Sequence, residues 1–161
     1  MNDAIVAILP IIVSVVAILL SVVIHEFSHG VAAYAQGDPT PKDQGRLTLN
    51  PIPHIDPLGT LLIPGFLLLT GSPFLIGWAR PMPFNPYNLR NARYGSLLVA
   101  LAGPLSNFIL FIAAGLLLKF YFPGLEATNF LVIFLAKLVL VNFVLGFFNM
   151  IPIPPLDGSK V

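Results

Sequence analysis

Residues 4–24 run for 21 positions without a charge, and residues 95–118 run for 24. Residues 127–149 form a third apolar run of 23, broken only by Lys137. At about 1.5 Å per helical residue each run is long enough to cross a bilayer core of about 30 Å. The first pattern continues as helix through His25 to Gln36, where Gly37-Asp38-Pro39 stops it. The spacing therefore predicts helices over 4–36, 95–122 and 127–149. Pro152, Pro154 and Pro155 forbid helix beyond the third, and Tyr121 to Leu125 turns the chain between the last two.

The 58 residues at 37–94 differ in character. Arg46-Leu47-Thr48-Leu49 alternates polar and apolar side chains, which predicts a short strand. Pro39, Pro41, Pro51, Pro53 and Pro57 break the chain around it. Residues 58–76 are apolar again but contain Gly59, Pro64, Gly65, Gly71 and Pro73, which predicts a re-entrant or membrane-surface segment rather than a full crossing. The expected fold is a mostly α, polytopic membrane protein. It forms one membrane-embedded unit over 1–161, with a small membrane-associated β element and a re-entrant segment inside 37–94.

Composition agrees with lipid as the solvent. Hydrophobic residues make up 57% and charged residues 9%, against about 45–50% and 25% in soluble domains. A net charge of +1 leaves no electrostatic footprint for nucleic acid. Cys is absent, so a metal must be held by His and carboxylate.

One pattern carries chemistry. His25-Glu26-Phe27-Ser28-His29 reads H-E-x-x-H, and on a helix the two imidazoles lie one turn apart on one face, within reach of one Zn²⁺. Glu26, beside the first ligand, is placed to act as general base in metal-assisted hydrolysis. Three ionisable residues continuous with a membrane span are costly unless something binds them. A catalytic zinc takes three protein ligands and keeps one position open. His54, Asp38, Asp43, Asp56, Glu126 and Asp157 are the candidates for the third. Asp157 stands out at the end of a Pro-stiffened segment, 150–161, where Gly158 permits close backbone approach.

HEFSH in a membrane helix, followed by Asn149-Met150-Ile151-Pro152-Ile153-Pro154-Pro155-Leu156-Asp157-Gly158, resembles the site-2 protease family of intramembrane zinc metalloproteases. Ala102 to Asn107 is similar to that family's G-P-x-x-N segment. Arg46 to Pro51, and Gly77 to Pro81 with Pro83 and Asn85, extend the resemblance along nearly the whole chain. It implies one zinc held by His25, His29 and Asp157, with Glu26 as the base. Asn107 would aid the substrate carbonyl or oxyanion, and Asn149 would orient the Asp157 loop or a substrate strand. No PDZ-like insertion is visible, so the chain looks like a compact member, and relatives continue into further helices beyond the point where this sequence appears truncated.

The implied activity is hydrolysis of peptide bonds in membrane-embedded protein substrates. The alternative is a catalytically idle scaffold or partner-binding homologue, which intact Glu26 disfavours. A metal transporter would need further ligands along a path, and the long helices offer none. The expected partners are a transmembrane protein substrate, the lipid bilayer and a second copy of the chain. If 58–76 does not cross, the first and third long helices run in the same direction and their ligands share one face. Lys42, Arg46, Arg80, Arg90, Arg93 and Lys160 then share a side, which the positive-inside bias places in the cytoplasm. The N-terminus would lie outside a cell membrane, with the active site toward the cytoplasm.

Overall fold

A computed structural model describes residues 3–72, 76–91, 93–122, 124 and 129–160. Helix α1 spans Asp3–Ala35 and a short α2 spans Thr40–Asp43. A 3₁₀ turn at Ile52–His54 precedes a π-helical turn, Pro57–Leu62, that runs into α3, Ile63–Leu69. After a 3₁₀ turn at Pro86–Asn88 come α4, Gly95–Tyr121, and α5, Phe130–Asn149. A last 3₁₀ turn covers Asp157–Lys160. Helices α1, α4 and α5 are long and apolar enough to cross a membrane. Their positions match the helices expected over 4–36, 95–122 and 127–149 to within three residues, and Asn129 caps α5 by accepting from the Leu131 amide.

Contacts between these helices fix their directions. Ala17 packs with Ala114, Leu135 and Leu138. Further along α1, Ser21 meets Asn107 and Asn142, His29 meets Val99, and Ala33 packs with Val99 and Leu89. Numbers rise along α1 while they fall along α4 and rise along α5. So α1 and α5 are parallel, with α4 antiparallel to both. Small residues at the closest contacts let the backbones approach. The outward faces are apolar, with Ile11, Ile18, Ile109, Ile112, Leu140 and Phe147 all exposed. Ser21, Asn107 and Asn142 lie inside the bundle while its outer faces are apolar, the arrangement that a lipid solvent requires.

The strand expected at 46–49 is absent; among the described residues no strand forms. Arg46 points inward, 4% exposed, and donates through Nη2 to the carbonyls of Arg80 and Pro81. Thr48 N–H turns back to the Arg46 carbonyl. The alternation came from one buried arginine in a loop rather than from a pleat, and Arg46 joins the neighbouring chain through its side chain instead of a backbone ladder. The segment at 58–76 begins and ends in one place. Trp78 N–H donates to the Gly59 carbonyl and Thr60 Oγ1 to the Trp78 carbonyl. The Trp78 ring lies so close over Gly59 that a Cβ there would sit 2.4 Å from it. Residues 73–75 lie outside the described residues.

Asp38 ties the end of α1 to the turn at 85–88. Its fully buried carboxylate accepts from Thr40 N–H, Thr40 Oγ1, Asn85 N–H and Asn88 Nδ2. Burial alone would raise its pKa, but these donors outweigh burial and hold it below the usual range. A depressed carboxyl contributes stability in full above the unfolded value of about 4 and loses it as pH falls through the folded one. Thermal unfolding in detergent should therefore show an acid loss of stability. Asp38→Asn should remove its own share of that loss and cost about 1–3 kcal/mol at neutral pH. An unchanged melting temperature for Asp38→Asn at pH 7 would show that the knot does not hold the fold.

Candidate metal centre

The i, i+4 spacing on α1 sets the two imidazoles edge to face, with ring centroids 4.6 Å apart. The segment after α5 brings Asp157 onto them. Asp157 Oδ2 lies 3.0 Å from His25 Nε2 and 3.1 Å from His29 Nε2, and the two Nε2 atoms are 3.0 Å apart. Gly158 permits this placement, because a Cβ there would lie 2.5 Å from the Met150 carbonyl oxygen and 2.6 Å from that of Ile151. Burial opposes ionisation of Asp157, but the neighbouring imidazoles outweigh it and hold the carboxyl well below the usual range.

The donor set fits a cation. His29 Nδ1 lies 2.7 Å from the Val99 carbonyl oxygen, which can only accept. Nδ1 therefore carries the proton, and Nε2 of the neutral ring presents a lone pair. Two imidazole nitrogens and a carboxylate oxygen crowd one point, and such a cluster is stable when a positive charge sits among them. Two His and one carboxylate are a known zinc donor set with a position left open. The surroundings are shaped to admit both rings. A Cβ on Gly103 of α4 would fall 2.4 Å from His29 Nε2 and 2.7 Å from His25 Cε1.

Glu26 is half-buried, and its Oε2 is buried with no hydrogen-bond partner. It lies within electrostatic reach of both His29 and Arg46. Leu47 and Met82 close over Gly30, the residue after His29, so the loops carrying Arg46 and Met82 cover this end of α1. The remaining third-ligand candidates are engaged elsewhere or lie apart. Asp38 holds its knot, and Asp56 caps the π-helical turn by accepting from Leu58 and Gly59 N–H. His54 is buried and bonds the Thr48 carbonyl. Asp43 is exposed at the end of α2, and Glu126 lies outside the described residues.

The structure brings His25, His29 and Asp157 together, sets Asn107 behind His25 and turns Asn149 back onto its own helix. Asn107 is fully buried, its Oδ1 against His25 Nδ1 and its Nδ2 2.7 Å from Asn142 Oδ1. Asn149 Nδ2 donates back to the Leu145 carbonyl of its own helix. Gly103 and Ser21 escaped the sequence reading. Only Gly103 carried a signal, as the glycine of the G-P-x-x-N segment.

Comparison with known proteins gives relatives of one kind. The chain is 43% identical over 152 residues to "Putative zinc metalloprotease YwhC" of Bacillus subtilis, covering 91% of this chain and 66% of that protein. It is 33% identical over 141 residues to "Putative zinc metalloprotease Rip2" of Mycolicibacterium smegmatis, covering 87% of this chain and 52% of that protein. The Rip2 of Mycobacterium tuberculosis is 34% identical over the same coverage. The chain thus spans about two thirds of the Bacillus protein and half of the mycobacterial ones. No family model and no solved structure matches it.

Proposed function

We propose, on the premise that this chain belongs with the zinc metalloproteases to which it is related, that it is an intramembrane protease of the site-2 kind. Its reaction is hydrolysis of a peptide bond in a membrane-embedded protein substrate. The observation that carries this reading is the convergence of His25, His29 and Asp157 beside a buried, unpartnered Glu26 carboxylate, on helices whose outer faces are apolar.

His25 Nε2, His29 Nε2 and Asp157 would hold one zinc. When bound, zinc polarises the scissile carbonyl and acidifies water. Glu26 then takes a proton from the attacking water through its carboxylate and delivers it to the leaving amine. A substrate helix hides its carbonyls in hydrogen bonds and must unwind to be cut. The irregular backbone at 46–50 and 76–85 offers a surface against which an unwound segment can pair. The scaffold alternative gives no reason to retain an unpartnered buried carboxylate beside the ligands.

Residence in the cell membrane, with the N-terminus outside and the site facing the cytoplasm, belongs to the same proposal. Self-association would place a second copy against the exposed apolar faces. The test has two arms. Purified protein in detergent should cut a transmembrane peptide within its apolar stretch, and cleavage restricted to soluble peptides would overturn the intramembrane reading. Cys placed at Asn2 should react with an impermeant thiol reagent on intact cells, and Cys at Asp43 or Asn91 only after permeabilisation. Labelling of 43 inside and 91 outside would make 58–76 a crossing and separate the ligands topologically. The native chain contains no Cys, so the background is zero.

A further inference from the structure

Behind His25 runs a line of buried polar groups, one from each long helix. Ser21 of α1, Asn107 of α4 and Asn142 of α5 are each 0% exposed. In a lipid-surrounded bundle such groups are costly unless every donor and acceptor is met. Here they are, and the pairing has only one direction.

The direction is set at the far end. Asn142 Nδ2 lies 2.9 Å from the Leu138 carbonyl oxygen, which can only accept. The amide nitrogen must therefore face that carbonyl, and its second hydrogen goes to Ser21 Oγ at 2.8 Å. Ser21 Oγ is free to accept because its own hydrogen is given to the Ala17 carbonyl at 2.7 Å. Asn142 then turns Oδ1 toward Asn107, whose Nδ2 must donate to it at 2.7 Å. The other Asn107 Nδ2 hydrogen points to the Ser21 carbonyl at 3.4 Å. That leaves Asn107 Oδ1 against His25 Nδ1, so Nδ1 must carry the ring proton. Nε2 is left as a lone pair aimed at Asp157 and His29.

We propose that Asn142, seated by Ser21 and the Leu138 carbonyl, is a positioning residue that acts through Asn107 to fix the His25 tautomer and ring orientation for metal binding. The inference rests on the zinc reading above. Asn142 makes its hydrogen bonds to Asn107, Ser21 and the Leu138 carbonyl, not to the ligand atoms. Its effect travels through the orientation of one amide.

The same logic supplies the test. An asparagine must be told which way to face, whereas a carboxylate offers an acceptor from either oxygen. Zinc retention is measured by chelator competition on purified full-length protein, with the melting temperature of the zinc-free form recorded alongside. Asn107→Leu should weaken zinc retention by about 10–100-fold, the usual cost of losing a partner behind a ligating His. Asn142→Leu should weaken it by a smaller factor, on the order of 3–10-fold. Asn107→Leu with Asn142→Leu should be no worse than Asn107→Leu alone. Asn107→Asp keeps an acceptor for His25 Nδ1 but sets a carboxylate oxygen against two acceptors, Asn142 Oδ1 and the Ser21 carbonyl, so in that background Asn142→Leu should cost no zinc retention and should recover some. If Asn142→Leu costs the same factor in the Asn107, Asn107→Leu and Asn107→Asp backgrounds, its role is packing and the inference fails. Unchanged zinc retention in Asn142→Leu alone overturns it as well. A wild-type protein that holds no zinc overturns the metal reading itself, which the variants do not address.

Discussion

Glu26→Gln should keep its zinc and cleave about 10²–10⁴-fold more slowly than the wild type, the range that general-base catalysis supplies. The amide has nearly the shape of the carboxylate and leaves His25, His29 and Asp157 untouched. It cannot accept the proton of the attacking water. Glu26 Oε2 is buried without a partner, so the substitution breaks no hydrogen bond and stability should change little. Zinc analysis, a melting curve and turnover of a transmembrane peptide on one preparation separate these effects. Turnover near the wild-type rate would remove Glu26 from the mechanism. Zinc loss together with turnover would make Glu26 part of the metal site instead.

Asp157→Ala should fail differently, losing zinc before chemistry is reached. The two imidazoles alone leave a two-ligand site, and zinc affinity should fall by more than about 100-fold, the upper end for residues that merely support a ligand. Because bound metal stabilises the state that binds it, the wild type should melt higher with zinc than without. In Asp157→Ala that gap should close. Lys160 Nζ, 3.8 Å from Asp157 Oδ1 on the exposed side, offers no substitute donor for a cation. Full zinc affinity in Asp157→Ala would mean that another residue completes the site.

The long helices were legible because lipid imposes one rule on every residue facing it, so an uncharged run of sufficient length is already a structural statement. The ligand pair was legible because i, i+4 on a helix is geometry as well as sequence, and Asp157 because a Pro-stiffened segment closing on Asp-Gly accompanied it. The region 37–94 was harder. Alternation at 46–49 reads as a pleat only if Arg46 faces water, and it faces inward to cap two carbonyls. Asp38 looked like a spare metal ligand because a carboxylate's oxygens accept N–H bonds as readily as they bind a cation. Which it does depends on the distant turn at 85–88. Asn107 and Asn142 lie 35 positions apart, and only the packing of α4 on α5 shows that they touch. Ser21 gave no sign, since a serine in an apolar helix usually bonds its own backbone.

The ligand set also has an order in time. His25 and His29 emerge early during synthesis, while Asp157 follows 132 residues after His25. A nascent chain with α1 already inserted carries His25, Glu26 and His29 but not yet Asp157. The cluster of His25, His29 and Asp157 therefore forms only when the segment behind α5 folds back onto α1. A cation held among the three would clip the first helix to the turn at Asp157–Lys160.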